Sequence, residues 1–235
     1  MNELPNDAVC RRCGLCIGKE SSYCAPYLGP NNTRPKILFI GLDHGNAESG
    51  SPTREERRRA VLDYYRNHGN RWNPHYKGCI WVASHLRSIR CSDECRVKCM
   101  KHEEPDCALT GFDQANAVRC VEEKTRMAFT GHRFIDECFP LLFENEIPEL
   151  RPDIIVLQGK PLHTAFYKHA KTCDPREQVV IDQHIGRVVW KSGKTSFVLA
   201  FKHPSALGRH HFKYQWVEIE TALGRLREIA PGLWL

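Results

Sequence analysis

The chain has 235 residues, 41% of them hydrophobic, and a formal net charge of +6. That is enough to bury one substantial core, and the expectation is a single domain over residues 1–235 rather than two. The opening "MNELPNDAVC" carries no apolar run and no stretch of about 18 apolar residues occurs anywhere, which speaks against secretion and membrane spanning and for a cytoplasmic protein.

Twelve cysteines in a reducing compartment are poor candidates for disulfides and good ones for metal. Basic residues gather in "REERRR", "HLRSIR", "RVKCMK" and "HPSALGRHHFK". Such clusters suit a polyanionic partner, and equally a solvated basic surface.

Residues 1–33 are rich in Cys, Gly, Pro and Asn and read as an irregular arm held by something other than a core. Regular structure begins at "PKILFIGLDHG", where Ile37 to Ile40 form a short apolar run ended by Gly41, the mark of a buried parallel strand entering a loop. "TREERRRAVLDYYRNHG" predicts a charged helix with Thr53 and Glu56 at capping-box spacing and Gly69 as its stop. A second helix is expected over "GCIWVASHLRSI", followed by a Cys-rich insertion at 91–107.

"FDQANAVRC" reads as a strand and its loop, "GHRFIDECFPLLFENEIPEL" has apolar residues at helical intervals, and "RPDIIVLQGKPLHTAFYKHA" is a strand, a Gly turn and a helix. "GRVVWKSGKTSFVLAFKHPSA" predicts a hairpin-like pair, and "YQWVEIETALGRLREIA" a closing helix. Strands alternating with helices imply a doubly wound sheet whose ligands sit beyond the carboxyl ends of its strands.

Three loops at strand ends, "GLDHG", "ANAVRC" and "HPSAL", occur in an order and at separations that resemble the uracil-DNA glycosylase superfamily. The cysteines "CRRCGL", "AVRC" and "DECFPLL" resemble its iron–sulfur branch, family 4 with relatives in family 5. The resemblance runs from about Cys10 to the last helix, leaving out the insertion. It implies a three-layer α/β/α fold around a central, mostly parallel four-stranded sheet.

The resemblance further implies a [4Fe–4S] cluster held by Cys10, Cys13, Cys120 and Cys138, with zinc in the same thiolate cage as the alternative. "CRRCGLC" also allows Cys13 with Cys16 as the pair. Cys91, Cys95, Cys99, His102 and Cys107 have spacings compatible with zinc, and a second metal there, with Cys16 or Cys24 as possible partners, stands beside a loop of reduced thiols.

Excising a pyrimidine requires turning the nucleotide out of the duplex, bracketing the base and stabilising the charge that builds on its leaving O2. By the resemblance His203, set against Pro204, donates to that oxygen, and Leu207 enters the duplex as the base leaves. Ser205, Arg209, His210 and Lys213 would hold the DNA, the cations gripping phosphates without reading sequence.

"GLDHG" departs from the GEAPG loop of family 4: Leu42 stands where that loop has Glu, and Asp43 matches the aspartate of the GQDPY-type loop, which aligns water and steadies a cationic sugar. His44 is the fallback. Asn116 matches the asparagine that pairs with the polar edge of the base, and Tyr76 can be laid on the stacking aromatic.

The expected function is therefore a monofunctional DNA glycosylase acting on uracil or a modified pyrimidine, and a monomer in contact with DNA. Two alternatives stand beside it: a glycosylase for hypermodified phage cytosines acting in antiviral defence, and a catalytically inactive nucleic-acid-binding protein of the same fold.

Overall fold

A computed structural model describes residues 25–30, 32–41, 53–68, 74–87, 94, 109–117, 132–173, 178–180, 182–203 and 216–235. The first strand, β1 (Ile37–Gly41), is buried at every position. Its alternate side chains enter two different cores. Ile37 and Phe39 join one apolar cluster and Leu38 and Ile40 the other, so the sheet is covered on both faces, as the unbroken apolar run requires.

Helix α1 (Arg54–His68) starts on the expected capping box. The Thr53 hydroxyl accepts from the Glu56 amide at 3.1 Å, while the Thr53 amide donates to the Glu56 carboxylate at 3.0 Å. Helix α2 (Pro74–Arg87) begins four residues before the Gly78 start read from the sequence, on a proline, which suits a first turn because its missing N–H would have no helical partner. Along α2, Cys79, Ala83 and Leu86 face the core as one stripe.

Strand β2 (Asp113–Asn116) is polar at three of its four positions yet buried throughout. The last residues of the Cys-rich arm account for part of this: Tyr27 and Gln114 exchange two backbone hydrogen bonds of 2.8 Å, and the Gly29 amide donates to Asp113 at 3.0 Å.

Helix α3 (His132–Leu141) continues through a π turn at Leu142–Glu146 into the short α4 (Ile147–Leu150). Next come β3 (Ile154–Gln158), α5 (Lys160–Cys173), β4 (Gln178–Val180), β5 (Ile185–Val189) and β6 (Thr195–Phe201). Between β5 and β6, Gly193 takes a φ of 77°, a conformation that glycine adopts without penalty. The last helix, α6 (Trp216–Ile229), buries Ile219, Ala222, Leu223 and Leu226 at helical spacing.

The strands lie in the order β2-β1-β3-β6-β5-β4. The first four are parallel, as expected, while β5 and β4 extend the sheet antiparallel, so the sheet has six strands rather than four. The reason is the hairpin: β5 turns into β6 within a few residues, and a connection that short can only join antiparallel neighbours. Helices α2 and α6 pack on one face, the α3 run and α5 on the other, completing a three-layer α/β/α fold. No helix among the described residues is long and apolar enough to cross a membrane.

Candidate active site

In the parallel part of the sheet the strands end level with one another. Gly41 is registered opposite Asn116 on one side, and Gln158 opposite Phe201 on the other. Because side chains alternate along a strand, Gln114, Asn116, the Cα of Gly41 and Gln158 all face the layer that holds α2. The core on that side is apolar up to Phe39 and Val156 and becomes polar one step later.

The first turns of α2 lie over this row. His75 and Cys79, four residues apart on one helical face, turn towards it. Gln114 Nε2 is 2.8 Å from His75 Nε2, Gln158 Nε2 donates to Cys79 Sγ at 3.1 Å, and Cys79 Sγ is 3.8 Å from His75 Nε2. A continuous polar chain thus runs Gln114, His75, Cys79, Gln158 beneath the strand ends. From β6 comes His203, whose ring stacks on that of His75 with centroids 5.2 Å apart and planes 25° apart.

Burial governs the charge state of this chain. Desolvation, followed by the neighbouring His203 and Arg57, lowers the His75 pKa to about 3, so its imidazole is neutral at neutral pH. Desolvation also pushes the Cys79 thiol up to about 12, outweighing the hydrogen bond from Gln158. A thiol that stays protonated is a poor nucleophile, so the Cys79–His75 pair does not make a covalent catalytic dyad. What the arrangement offers is neutral hydrogen-bonding groups in a water-poor corner.

Three of those groups are incomplete. Gln114 Oε1, Asn116 Oδ1 and Gln158 Oε1 are buried and have no hydrogen-bond partner among the described residues. An unpaired buried acceptor costs about 1–3 kcal/mol. Two of the three converge: Asn116 Oδ1 and Gln158 Oε1 lie 3.2 and 3.8 Å from the point where a Cβ on Gly41 would stand, with His75 Cε1 at 3.5 Å. Glycine at this position keeps a side chain out of the space between the two oxygens, where even a methyl carbon would be crowded by Asn116 Oδ1.

Of the residues singled out in the sequence, Asn116 and His203 are brought to this corner. Tyr76 sits beside it, accepting from Arg57 Nη2 at 3.2 Å, with its ring 6.3 Å from that of Tyr64 and 5.7 Å from that of His75. Leu42, Asp43, His44, Ser205, Leu207, Arg209, His210 and Lys213 lie outside the described residues, as do Cys10, Cys13, Cys16, Cys24, Cys91, Cys95, Cys99, His102, Cys107 and Cys120. Cys138 lies on α3 at 4% exposure, in the apolar cluster on the opposite face of the sheet. Among the described residues, no group of three His, Cys, Asp or Glu side chains is placed to hold a metal ion.

His75, Cys79, Gln114 and Gln158 were not singled out in the sequence. Gln114 stands two residues before Asn116 on the same strand face, and Gln158 is a polar residue closing an otherwise apolar strand; both are readable signals for a polar strand-end site.

Compared with protein-family models, residues 28–226 match that of the Uracil DNA glycosylase superfamily. No curated protein matches the chain. The matched span runs from beside the arm's pairing with β2 into the last helix, and it takes in every strand of the sheet and the whole of the polar corner. The chain therefore belongs to the uracil DNA glycosylase superfamily.

Proposed function

We propose that the chain is a monofunctional DNA glycosylase that hydrolyses the N-glycosidic bond of a pyrimidine turned out of the duplex, leaving an abasic site. The observation that carries this reading is the corner where Asn116 and His203 both lie close to His75, at the carboxyl ends of four parallel strands in a superfamily of DNA glycosylases. It offers a carboxamide for the base edge and an imidazole for the leaving oxygen, in surroundings where a hydrogen bond counts for more than in water.

His203 donates to O2 of the departing base, and Asn116 holds the opposite edge. Asp43, two residues beyond β1 in the sequence, aligns the attacking water and steadies the cationic sugar. Leu207 takes the space of the extruded base, while Arg209, His210 and Lys213 with Ser205 hold the backbone. The side chains gathered at the corner, among the described residues, include no lysine, and a hydrolytic reaction needs none.

The proposal includes a [4Fe–4S] cluster on Cys10, Cys13, Cys120 and Cys138, with Cys13 and Cys16 as the other pair for the arm. The buried thiol of Cys138 suits a structural group shut away from the reaction, since it lies across the sheet from the polar corner. No step of the chemistry is routed through it. A second site, for zinc, is proposed on Cys91, Cys95, Cys99 and Cys107.

The test is mass spectrometry of bases released from duplexes containing uracil and from phage DNA rich in modified pyrimidines, with abasic sites counted in parallel. Release of one pyrimidine with matching abasic sites supports the reading. Tight binding with no base released from any substrate would make the chain a binding protein of the same fold.

A further inference from the structure

The acceptors left over at the strand ends say which edge of a base the corner can complete. Uracil presents one donor on its pairing edge, N3–H, flanked by two carbonyl oxygens. A pyrimidine with an amino group at C4 presents two N–H donors on one nitrogen and a bare N3. Beside Gly41 stand two buried acceptors, Asn116 Oδ1 and Gln158 Oε1, neither with a partner among the described residues. Asn116 is 4% exposed and Gln158 2%, so neither oxygen can turn to bulk solvent.

Gln158 is held in this orientation from behind. Its amide Nε2 donates to Cys79 Sγ, which lies 3.8 Å from His75 Nε2. The same imidazole nitrogen accepts from Gln114 Nε2, which turns Gln114 Oε1 away from His75 and leaves it as a third unpaired acceptor. The proton of His75 on Nδ1 therefore turns the oxygen of Gln114 outwards, and the contact with Cys79 Sγ does the same for Gln158.

The geometry points to a 4-aminopyrimidine as the base this corner takes, its amino group bridging Asn116 Oδ1 and Gln158 Oε1, with Gln158 as a specificity-determining residue. The inference rests on the glycosylase reading for its substrate but not for its recognition. A 4-oxo base would set its O4 against two carbonyl oxygens, whereas the amino group satisfies both. Ordinary cytosine carries the same edge, so the substituent at C5 has to supply the second half of the selection.

The experiment uses the full chain and duplexes that each carry one member of a matched pair: cytosine or uracil, 5-methylcytosine or thymine, and 5-hydroxymethylcytosine or 5-hydroxymethyluracil. Single-turnover release and affinity are both measured. The expected result is that within at least one pair the 4-amino member is released faster and bound more tightly. Gln158→Leu should then lower that preference at least tenfold, while Gln158→Glu, which keeps acceptors in place, should retain it.

If the 4-oxo member wins in every pair, or if Gln158→Leu leaves the ratio unchanged, the inference is wrong. The first of these outcomes would place the carboxamides of Asn116 and Gln158 the other way round. If no base is released at all, the glycosylase reading fails, and the ratio of affinities alone decides the inference.

Discussion

The imidazole of His75 lies stacked on that of His203, 5.2 Å between centroids, and is itself tied to β2 through Gln114. A hydrogen-bond donor is effective in catalysis to the extent that its direction is set before the reaction. His203→Ala should lower single-turnover release by about 10²–10³ with DNA binding retained, the usual cost of removing one oxyanion donor. His75→Phe keeps a ring under His203 and should retain much of the rate, whereas His75→Ala should lose it without a matching rise in KM. Equal rates for His75→Phe and His75→Ala would show that the stacking does not position His203.

Gly41 supplies the second prediction. A methyl group there would stand 3.2 Å from Asn116 Oδ1, closer than carbon and oxygen ordinarily approach, and would crowd the oxygens assigned to the base edge. Gly41→Ala should fold with little change in Tm, because the residue ends a strand and its neighbours need to give only a few tenths of an ångström. Base release should nevertheless fall by about tenfold or more, which corresponds to about 1.4 kcal/mol in the barrier. Unchanged release would place the base elsewhere.

Stability should depend on pH through two groups with opposite signs, the half-buried His75 and the buried Asp113. The pKa of His75 is about 3 in the fold against 6.5 when exposed, so the unfolded chain takes up a proton that the folded one refuses, and stability falls as pH drops below 6.5. Asp113 is raised by burial from 3.8 to about 6, so its contribution is complete below 3.8 and is lost as pH rises through 6. Urea titrations across this range should show a shallower acid decline for His75→Phe. Asp113→Asn, which keeps an acceptor for the Gly29 amide, should remove the loss on the rising side. Parallel profiles for both variants and the parent would contradict these assignments.

For the proposed cluster, purified protein should be brown, with broad absorption near 400 nm and about four irons per chain. Cys138→Ser should bleach it and reduce solubility, because the substitution removes a ligand and leaves a hydroxyl in an apolar layer of the fold. Colourless, folded protein that still releases base would overturn the cluster, and in that case Cys138→Ala should be tolerated as an ordinary core substitution.

Some of this architecture is local and therefore legible in the chain itself. The apolar run Ile37–Ile40 ending at Gly41 specifies a buried strand and its stop, and the spacing of Thr53 and Glu56 specifies how α1 begins, because both depend on residues within one or two turns of each other. The three strand-end loops likewise announced the superfamily. Asn116 and His203 could be singled out because each stands at such a strand end.

The polar chain was decided by tertiary structure. Gln114, His75, Cys79 and Gln158 are brought together by the register of β2, β1 and β3 and by the way α2 lies across them, and neither leaves a trace at short range. Tyr76 shows the difference most directly: it matches the stacking aromatic by position, but successive residues of a helix point about 100° apart, so in α2 it is His75 that faces the strand ends while Tyr76 turns to Arg57 and Tyr64. Sequence spacing determines which residues share a helix face; only the packing of that helix on the sheet determines which face meets the site.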